Sequence, residues 1–322
     1  MASDYPGLPA ESSNHSAMRI IANGGAKALK EKHARDEFVQ LIKRELPHAT
    51  VVFTEKRTPV ESLVKDAIGS GVNLIVAAGG DGTVNAVAAE LVDTQVVLGV
   101  MPLGTLNHFA KDVGIPDSIE EAVQTLASGK VVRVDVGRVN DRIFVNNSGL
   151  GLYPEMVFHR EHQQKHGLSK WSAALIESVR ALKRYEFLDL TIEMDDHSLR
   201  RRTPAVFIGN NEYILHPTRG SQRENLDRGQ LCLYMPRPAS RTKLIWFCVR
   251  ALFGNPKANR DFEKIMGKAF TISLGTGSTH VSVDGEVTTL SAPLKYESRP
   301  ASLQVIVPSH AAERAAKVEE GR

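Results

Sequence analysis

Cysteine is almost absent from this 322-residue sequence, which contains only Cys232 and Cys248. Both lie in apolar stretches, LCLYM and LIWFCV. Core packing is therefore their expected role, a disulfide framework is not expected, and a reducing compartment fits this composition.

An excess of charge is also lacking, because 40 Lys and Arg face 37 Asp and Glu, a formal net charge of +3. This balance suits an anionic membrane surface without requiring one, and it does not require a nucleic acid. No apolar run approaches the roughly 18 residues of a membrane span. The polar start of the chain is unlike a secretory signal. We therefore expect a cytoplasmic protein with a disordered N-terminus at residues 1–17.

From Met18 onward, short apolar runs alternate with amphipathic stretches. The runs are MRIIAN, ATVVFT, NLIVAAGG and QVVLGVMPLG, and patterns such as LKEKHARDEFVQLIKREL and VESLVKDAIGSG lie between them. This alternation predicts an α/β domain with a parallel sheet covered on both faces. Ligands of such sheets bind at the carboxyl ends of the strands.

After about residue 140 the pattern changes to strand-like runs such as LDLTIEM, PAVFIGN and HVSVDGE, separated by turn residues. A β-rich second domain is predicted. Helical patterns interrupt it at 169–185 and 241–254, and each combines a tryptophan with lysine and arginine. Such helices can lie on a membrane, although core packing is the commoner role of their apolar residues.

The first strand-to-helix turn of interest is AAGGDGTVN, in which Gly79, Gly80 and Gly82 surround Asp81. Glycines let backbone N–H groups approach a phosphate, and the following helix adds its positive N-terminal end. Taken alone, this signal is weak because such turns use glycine for geometry anyway.

A second turn of small, hydrogen-bonding residues follows the next apolar strand. It is MPLGTLNHFAKDVGIP, with Gly104, Thr105 and Asn107 before a helical pattern. The two turns should lie side by side at one edge of the sheet.

Together, AAGGDGTVN and PLGTLNHFAKDVGIP resemble the diacylglycerol kinase catalytic family, which includes bacterial lipid kinases and sphingosine and ceramide kinases. RIIANGG, VVFTEKRT, VVRVDVGRVNDRIFVNNSGLGL and VSVDGE match further segments of that family in the same order. The resemblance implies an α/β nucleotide-binding domain, like that of NAD kinases and phosphofructokinases, and a C-terminal β-sandwich with the lipid site between them. We expect residues 18–140, completed by 301–322, to form the ATP-binding domain and residues 141–300 the lipid-substrate domain.

The same resemblance implies ATP and Mg²⁺ as cofactors. Asp81 and Asp135 would hold the magnesium, and Glu286 would be the general base; these three form the expected catalytic set. Magnesium explains a carboxylate within a phosphate-binding turn, because it bridges phosphates while using few protein ligands. The expected nucleotide-binding residues are Asn23, Thr54, Gly79, Gly80, Gly82, Thr83, Gly104, Thr105 and Asn107.

Three acidic positions have alternative interpretations. In VVRVDVGRV, the side chain of Asp135 is expected to point away from the apolar face of its strand. It is either a solvated residue or a member of the magnesium network. Asp284 and Gly285 alone would indicate only a hairpin turn. Many bacterial members carry an aspartate directly before Gly229 as a metal ligand. Here Arg228 occupies that position, so either Asp227 substitutes as ligand or the arginine replaces the charge of the metal.

A histidine pattern in FHREHQQKHGL suggests zinc at first sight. His159, His162 and His166 have helical spacing, but no cysteine or carboxylate cluster completes a site. We expect a solvated basic loop near the lipid cleft instead.

The expected function is phosphoryl transfer from ATP to a lipid hydroxyl, on diacylglycerol or a related lipid. The expected partner is a lipid at the membrane surface, with peripheral association and no nucleic acid, and a homodimer is left open. Two alternatives remain at this stage. One is a kinase of a soluble substrate, related to NAD kinases, and the other is a non-catalytic relative that binds lipid or nucleotide.

Overall fold

A computed structural model of the chain describes residues 17–54, 58–151, 187–194, 197–216, 220–223, 225–237, 262–309 and 311–312. Outside these residues lie the expected disordered N-terminus up to 16, the three histidines, Cys248, both tryptophan-containing helical patterns and the tail after 312. Among the described helices, none has the length and apolar character needed to cross a membrane.

A parallel sheet organises the N-terminal part of the chain, as the alternating pattern predicted. Its strands lie in the order β2, β1, β3 and β4, all parallel. Every residue of β3 and β4 is buried, as expected for strands covered on both faces. The elements are β1 (Met18–Asn23), α1 (Lys32–Glu45), β2 (Ala49–Thr54), α2 (Val60–Gly69), β3 (Leu74–Gly79), α3 (Asp81–Leu91), β4 (Val97–Pro102), α4 (His108–Asp112) and α5 (Ile119–Ser128).

After α5, the described part of the chain is built mainly from strands, which confirms the predicted β-rich part. Six of them form an antiparallel sheet in the order β14, β13, β10, β7, β16 and β17. The strands are β5 (Lys130–Val139), β6 (Arg142–Phe144), β7 (Asn147–Gly151), β8 (Leu188–Met194), β9 (His197–Thr203), β10 (Ala205–Asn210), β11 (Tyr213–His216), β12 (Gly220–Arg223), β13 (Leu231–Pro236), β14 (Phe262–Gly267), β15 (Ala269–Leu274), β16 (Ser278–Val283), β17 (Glu286–Ser291) and β18 (Leu294–Val307).

The long last strand, β18, joins the two parts of the chain. Val305 pairs in parallel with Leu98 of β4, and the same strand runs antiparallel to β5 and β15. Its pairing with β5 is interrupted between Arg299 and Leu303, where Ala301 has a positive φ of 50°. One sheet therefore extends from the α/β part into the β-rich part, and the exact domain limits stay a prediction.

Two hydrophobic cores stabilise the fold. The first surrounds the parallel sheet, with Ile20, Val76 and Leu98 fully buried. The second contains residues of both the six-stranded sheet and the extended sheet, such as the buried Ile208 of β10 and Tyr296 of β18. Cys232 is buried and free, which confirms its expected core role, and burial raises the pKa of its thiol.

Candidate active site

The two small-residue turns meet at the carboxyl edge of the parallel sheet, as predicted. A β-carbon added to Gly104 would stand 2.6 Å from the Cα of Gly80. The N–H of Leu103 also donates to the carbonyl of Gly79 at 2.9 Å, which ties the ends of β3 and β4 together. Glycine is needed at this contact because any side chain would push the turns apart.

Asn23 connects the end of β1 to the first turn. Its Oδ1 accepts a hydrogen bond from the N–H of Gly25 at 2.9 Å, and its Nδ2 donates to Thr83 Oγ1 at 3.3 Å. Thr83 in turn lies over Gly79, where a β-carbon would stand 2.4 Å from its Oγ1. Asn23 and Thr83 therefore set the shape of the turn that contains Asp81.

Asn107 shapes the second turn from within. It adopts a left-handed conformation with φ 50°, and its Oδ1 accepts from the N–H of Gly104 at 3.1 Å. Its Nδ2 donates to the carbonyl of Gly104 at 3.2 Å and to Asp117 Oδ1 at 3.3 Å. The side chain is buried and its polar atoms are engaged, so these contacts fit an indirect role better than direct binding.

A cavity of about 590 Å³ lies against both turns. Asn23, Gly80, Gly104 and Thr105 are the sequence-predicted residues among its lining. Thr54 pairs with Asn23 at the carboxyl end of β2 but does not line the cavity. The remaining lining residues are Ala26, Lys27, Ala28 and Leu103.

Lys27 is the lining residue that the sequence interpretation missed. It is exposed and brings a positive charge to the cavity from the start of a short 3-10 helix, Lys27–Leu29, that follows β1. A lysine three residues after the segment ANG was the available signal, but lysines in surface loops are too common for it to stand out.

Asp81 is the first residue of α3 and is half-buried. Its carboxylate makes no hydrogen bond or ion pair with the part of the chain that the structure describes. A carboxylate at a helix N-terminus is electrostatically favourable, and this one has free oxygens for a ligand.

Glu286 reaches the first turn from the second part of the chain. It begins β17, at the edge of the six-stranded sheet, and is exposed. A β-carbon on Gly82 would stand 3.2 Å from Glu286 Oε1. The structure thus brings Glu286 next to the residue that follows Asp81.

Asp284 does more than form the turn that the dipeptide indicated. Its Oδ2 accepts from the N–H of Val145 at 2.7 Å, and its Oδ1 accepts from the N–H groups of Asn146 and Asn147 at 2.8 and 2.9 Å. Burial raises the pKa of this carboxyl to about 6, against the opposing effect of the three N–H groups. Asp284 therefore anchors the turn directly before Glu286.

Asp135 is not a solvated strand residue, which corrects one of its two interpretations. Its side chain is only 2% exposed, because the 226–229 segment and the irregularity in β18 cover it. Oδ2 accepts from Gly229 N–H at 2.6 Å and from Asn211 Nδ2 at 3.1 Å. Oδ1 accepts from Ala301 N–H at 2.9 Å. Its place in a magnesium network stays a prediction.

Asp227 is exposed, as is the neighbouring Arg228. Within the described ranges, no group of three or more His, Cys, Asp or Glu side chains gathers in a way that could hold a metal ion. A magnesium held largely by water and phosphate needs fewer carboxylates than that, so this finding leaves Asp81 available. The metal-binding role of Asp227 stays a prediction.

In the described residues, two small-residue turns meet on a parallel α/β sheet that is followed by a β-rich part. Residues 17–139 match the model of the diacylglycerol kinase catalytic domain. Over those residues the chain is similar to this family.

Relatives extend the similarity beyond the domain. An uncharacterised protein of Synechocystis is 29% identical over 274 residues, which is 81% of this chain and 61% of that protein. The diacylglycerol kinase of Staphylococcus aureus is 25% identical over 260 residues, 77% of this chain and 82% of the enzyme. The match thus spans about three fifths of the first relative and most of the second.

Solved structures from Bacillus anthracis share the fold. A diacylglycerol kinase superposes with a TM-score of 0.67 at 18% identity and covers 93% of this chain and 99% of its own. A candidate diacylglycerol kinase gives 0.70 at 22% identity, with coverages of 92% and 98%.

Proposed function

We propose that this protein is an ATP- and Mg²⁺-dependent lipid kinase that transfers the γ-phosphoryl group of ATP to a hydroxyl of diacylglycerol or a related lipid. The observation that carries the proposal is the approach of Glu286 to Gly82, since it brings an exposed carboxylate to the turn that would hold phosphates. The proposed acceptor hydroxyl lies between them. The match of residues 17–139 to the diacylglycerol kinase catalytic domain and the similarity to the Staphylococcus aureus diacylglycerol kinase support the kinase part of this proposal.

The cavity supports nucleotide binding. Gly80 and Gly104 leave a floor without side chains, so that phosphate oxygens can approach backbone N–H groups. Lys27 and the N-terminus of α3 add positive potential on the same side. A cavity of about 590 Å³ is large enough for an ordered small ligand.

The free oxygens of Asp81 fit magnesium. A hard cation prefers carboxylate oxygens, and Asp81 has no competing partner in the described part of the chain. When bound with ATP, magnesium would neutralise the charge that develops on the transferring phosphoryl group. We assign Asp81 as its direct or water-mediated ligand and Asp135 as a member of the same magnesium network.

Glu286 would accept the proton of the lipid hydroxyl. A hydroxyl attacks phosphorus only as its proton leaves, and an exposed carboxylate beside the phosphate turn provides a destination for it. The chain would act as a peripheral protein at the cytoplasmic membrane surface, where its lipid acceptor lies.

The test supplies ATP radiolabelled at the γ-phosphate to the full chain, with lipids in mixed micelles and a panel of soluble acceptors. The lipids are diacylglycerol, ceramide, a sphingoid base, phosphatidylglycerol and a polyprenol. The soluble acceptors include NAD. We expect Mg²⁺-dependent label in a lipid product, and loss of that label in Glu286→Gln. Label only in a soluble product would favour an NAD kinase-like enzyme. ATP binding without any labelled product would favour a non-catalytic binding protein.

A further inference from the structure

Arg223, the last residue of β12, is a buried cation that the proposed chemistry does not use. It is 3% exposed, and Nε donates to Asp112 Oδ2 at 2.8 Å. Nη1 donates to the carbonyls of Val145 and Asn210 at 2.6 and 3.0 Å. Nη2 donates to Asn146 Oδ1 at 2.9 Å, and the backbone N–H reaches Asp112 Oδ1 at 3.3 Å. All three nitrogens of the guanidinium therefore donate hydrogen bonds.

These contacts join the two parts of the chain. Asp112 ends α4, the short helix that starts directly after Asn107 and the second turn. Val145 and Asn146 connect β6 to β7 in the β-rich part. Arg223 therefore fixes the helix behind the second turn to the backbone between β6 and β7.

The same backbone segment leads on to Glu286. The N–H groups of Val145 and Asn146 donate to Asp284, while their carbonyl and side-chain oxygens accept from Arg223. Asp284 precedes Glu286 by two residues in a tight turn with a φ of 47°. A shift of segment 145–147 would therefore move the turn and the carboxylate that follows it.

We propose that Arg223 is a positioning residue that sets Glu286 against the first turn, by holding segment 145–147 to Asp112 of α4. This inference rests on the lipid kinase function proposed above. Arg223 is not among the residues that line the cavity, so it would act through other residues. Arginine suits this role because its planar guanidinium donates to a carboxylate, two carbonyls and an amide oxygen at once. The ammonium group of lysine is a single point charge and cannot match that geometry.

An ordinary buried ion pair is the competing explanation. Such pairs can be replaced by apolar residues without loss of stability, so burial of Arg223 and Asp112 does not by itself indicate a role. A purely structural pair would affect folding, with no specific link to Glu286. The two explanations differ in what happens when Arg223 and Glu286 are changed together.

The first experiment compares Arg223→Lys with the parent in the lipid phosphorylation assay. A displacement of about 1 Å can cost about 10²-fold in rate, so we expect kcat to fall by about tenfold or more. The KM for ATP should stay within about twofold, since Arg223 lies outside the nucleotide cavity. Arg201→Lys is the matched control, because Arg201 also pairs in bidentate fashion, with Glu263, but lies on β9 away from α4 and segment 145–147. It should leave both constants within about twofold.

The second experiment combines Arg223→Lys with Glu286→Gln. If Arg223 acts through Glu286, the double variant should be no slower than Glu286→Gln alone, because no base remains to be positioned. Multiplication of the two rate losses would overturn the proposal, as would an Arg223→Lys enzyme with the kcat of the parent.

Hydrogen exchange of the full chain gives a measurement that does not need catalysis. Arg223→Lys should increase exchange at least about tenfold at the amides of Val145, Asn146 and Asn147, and Arg201→Lys should not. If the parent phosphorylates no lipid, the proposed function fails, and exchange at these amides decides whether Arg223 positions the segment. Unchanged exchange would overturn the inference. Where Arg223→Lys does not fold, Asp112→Asn, which removes the ion pair that ties Arg223 and the segment to α4, takes its place in every measurement.

Discussion

Gly104 lies against Gly80 so closely that a β-carbon on Gly104 would stand 2.6 Å from the Cα of Gly80 and 2.7 Å from Asn107 Oδ1. Neither neighbour can move freely, since one is backbone and the other is bonded within its own turn. The distance between the two small-residue turns is therefore set by the absence of a side chain at Gly104.

Gly104→Ala should separate the turns and weaken ATP binding. Overpacking of this kind costs about 1–3 kcal/mol, enough to raise the Kd for ATP by about tenfold. Calorimetric titration with ATP and Mg²⁺ measures the change. Gly275→Ala is the control, because nothing lies within 4 Å of a β-carbon there. Equal affinity in both variants would show that the contact between the turns does not shape the nucleotide site.

Asp81→Asn should reduce Mg²⁺-dependent turnover while leaving the fold intact. The amide keeps the shape of the side chain but loses the charge that a hard cation prefers, so more magnesium should be needed for half-maximal rate. A magnesium titration of the rate, with melting curves alongside, measures both effects. Asp66→Asn on α2, an exposed aspartate, is the control. A parental response to magnesium in Asp81→Asn would remove Asp81 from the metal site.

Asp135→Asn should lower stability whether or not magnesium is present. The Asp135 carboxylate accepts hydrogen bonds from three N–H groups. The side-chain amide of the asparagine would direct its own N–H toward at least one of these donors, so that hydrogen bond would be lost. Loss of a buried, charge-assisted hydrogen bond costs about 2–3 kcal/mol. Chemical denaturation with and without Mg²⁺ and ATP measures it. A loss that appears only with the metal would instead support the predicted magnesium network.

The N-terminal part of the fold could be predicted from the sequence because its signals are local. MRIIAN and ATVVFT correspond to β1 and β2 as the structure bounds them, and the glycines of both turns indicated where the strands end. Contacts between residues far apart in the sequence leave no such local signal. Asp135 is held by Gly229 and Ala301, which lie 94 and 166 residues further along the chain.

The sequence patterns did not predict which charged residues would have buried partners. Asp284 looked like part of a hairpin turn, although its carboxylate binds N–H groups about 138 residues earlier in the chain. Arg223 lies in a polar stretch that suggests a solvated loop, yet its partners come from α4, β10 and the segment before β7. Hydrophobic periodicity and turn propensity depend on residues that are close along the chain. The contacts of Asp284 and Arg223 depend instead on how strands from both parts of the chain meet.

Asp284 should make stability depend on pH in an unusual direction. Its pKa of about 6 in the folded protein lies above the ordinary value of 3.8, so the folded state keeps a proton that the unfolded chain releases. This contribution is complete below about pH 4 and is lost as the pH rises through about 6. A gap of about two pKa units corresponds to about 3 kcal/mol.

Denaturation at pH 4, 5, 6 and 7 tests this expectation against Asp284→Asn, which cannot titrate. The stability of the parent relative to the variant should fall as the pH rises through this interval. Asp141→Asn removes an exposed aspartate and should not reproduce the trend. A difference that is constant, or that grows with pH, would contradict the raised pKa of Asp284.

Glu286→Gln tests the residue on which the proposed chemistry depends most. Glutamine keeps the size of the side chain beside Gly82 but cannot take a proton, so kcat should fall by about 10²-fold or more. Affinity for ATP and the melting temperature should change little, because Glu286 is exposed and does not line the nucleotide cavity. Initial rates across ATP and lipid concentrations separate kcat from KM, with Glu193→Gln, an exposed glutamate on β8, as the control. If kcat stays within a few-fold of the parent in a folded variant, Glu286 is only a turn residue. The lipid hydroxyl would then have to be activated by Asp81, Asp135 or water.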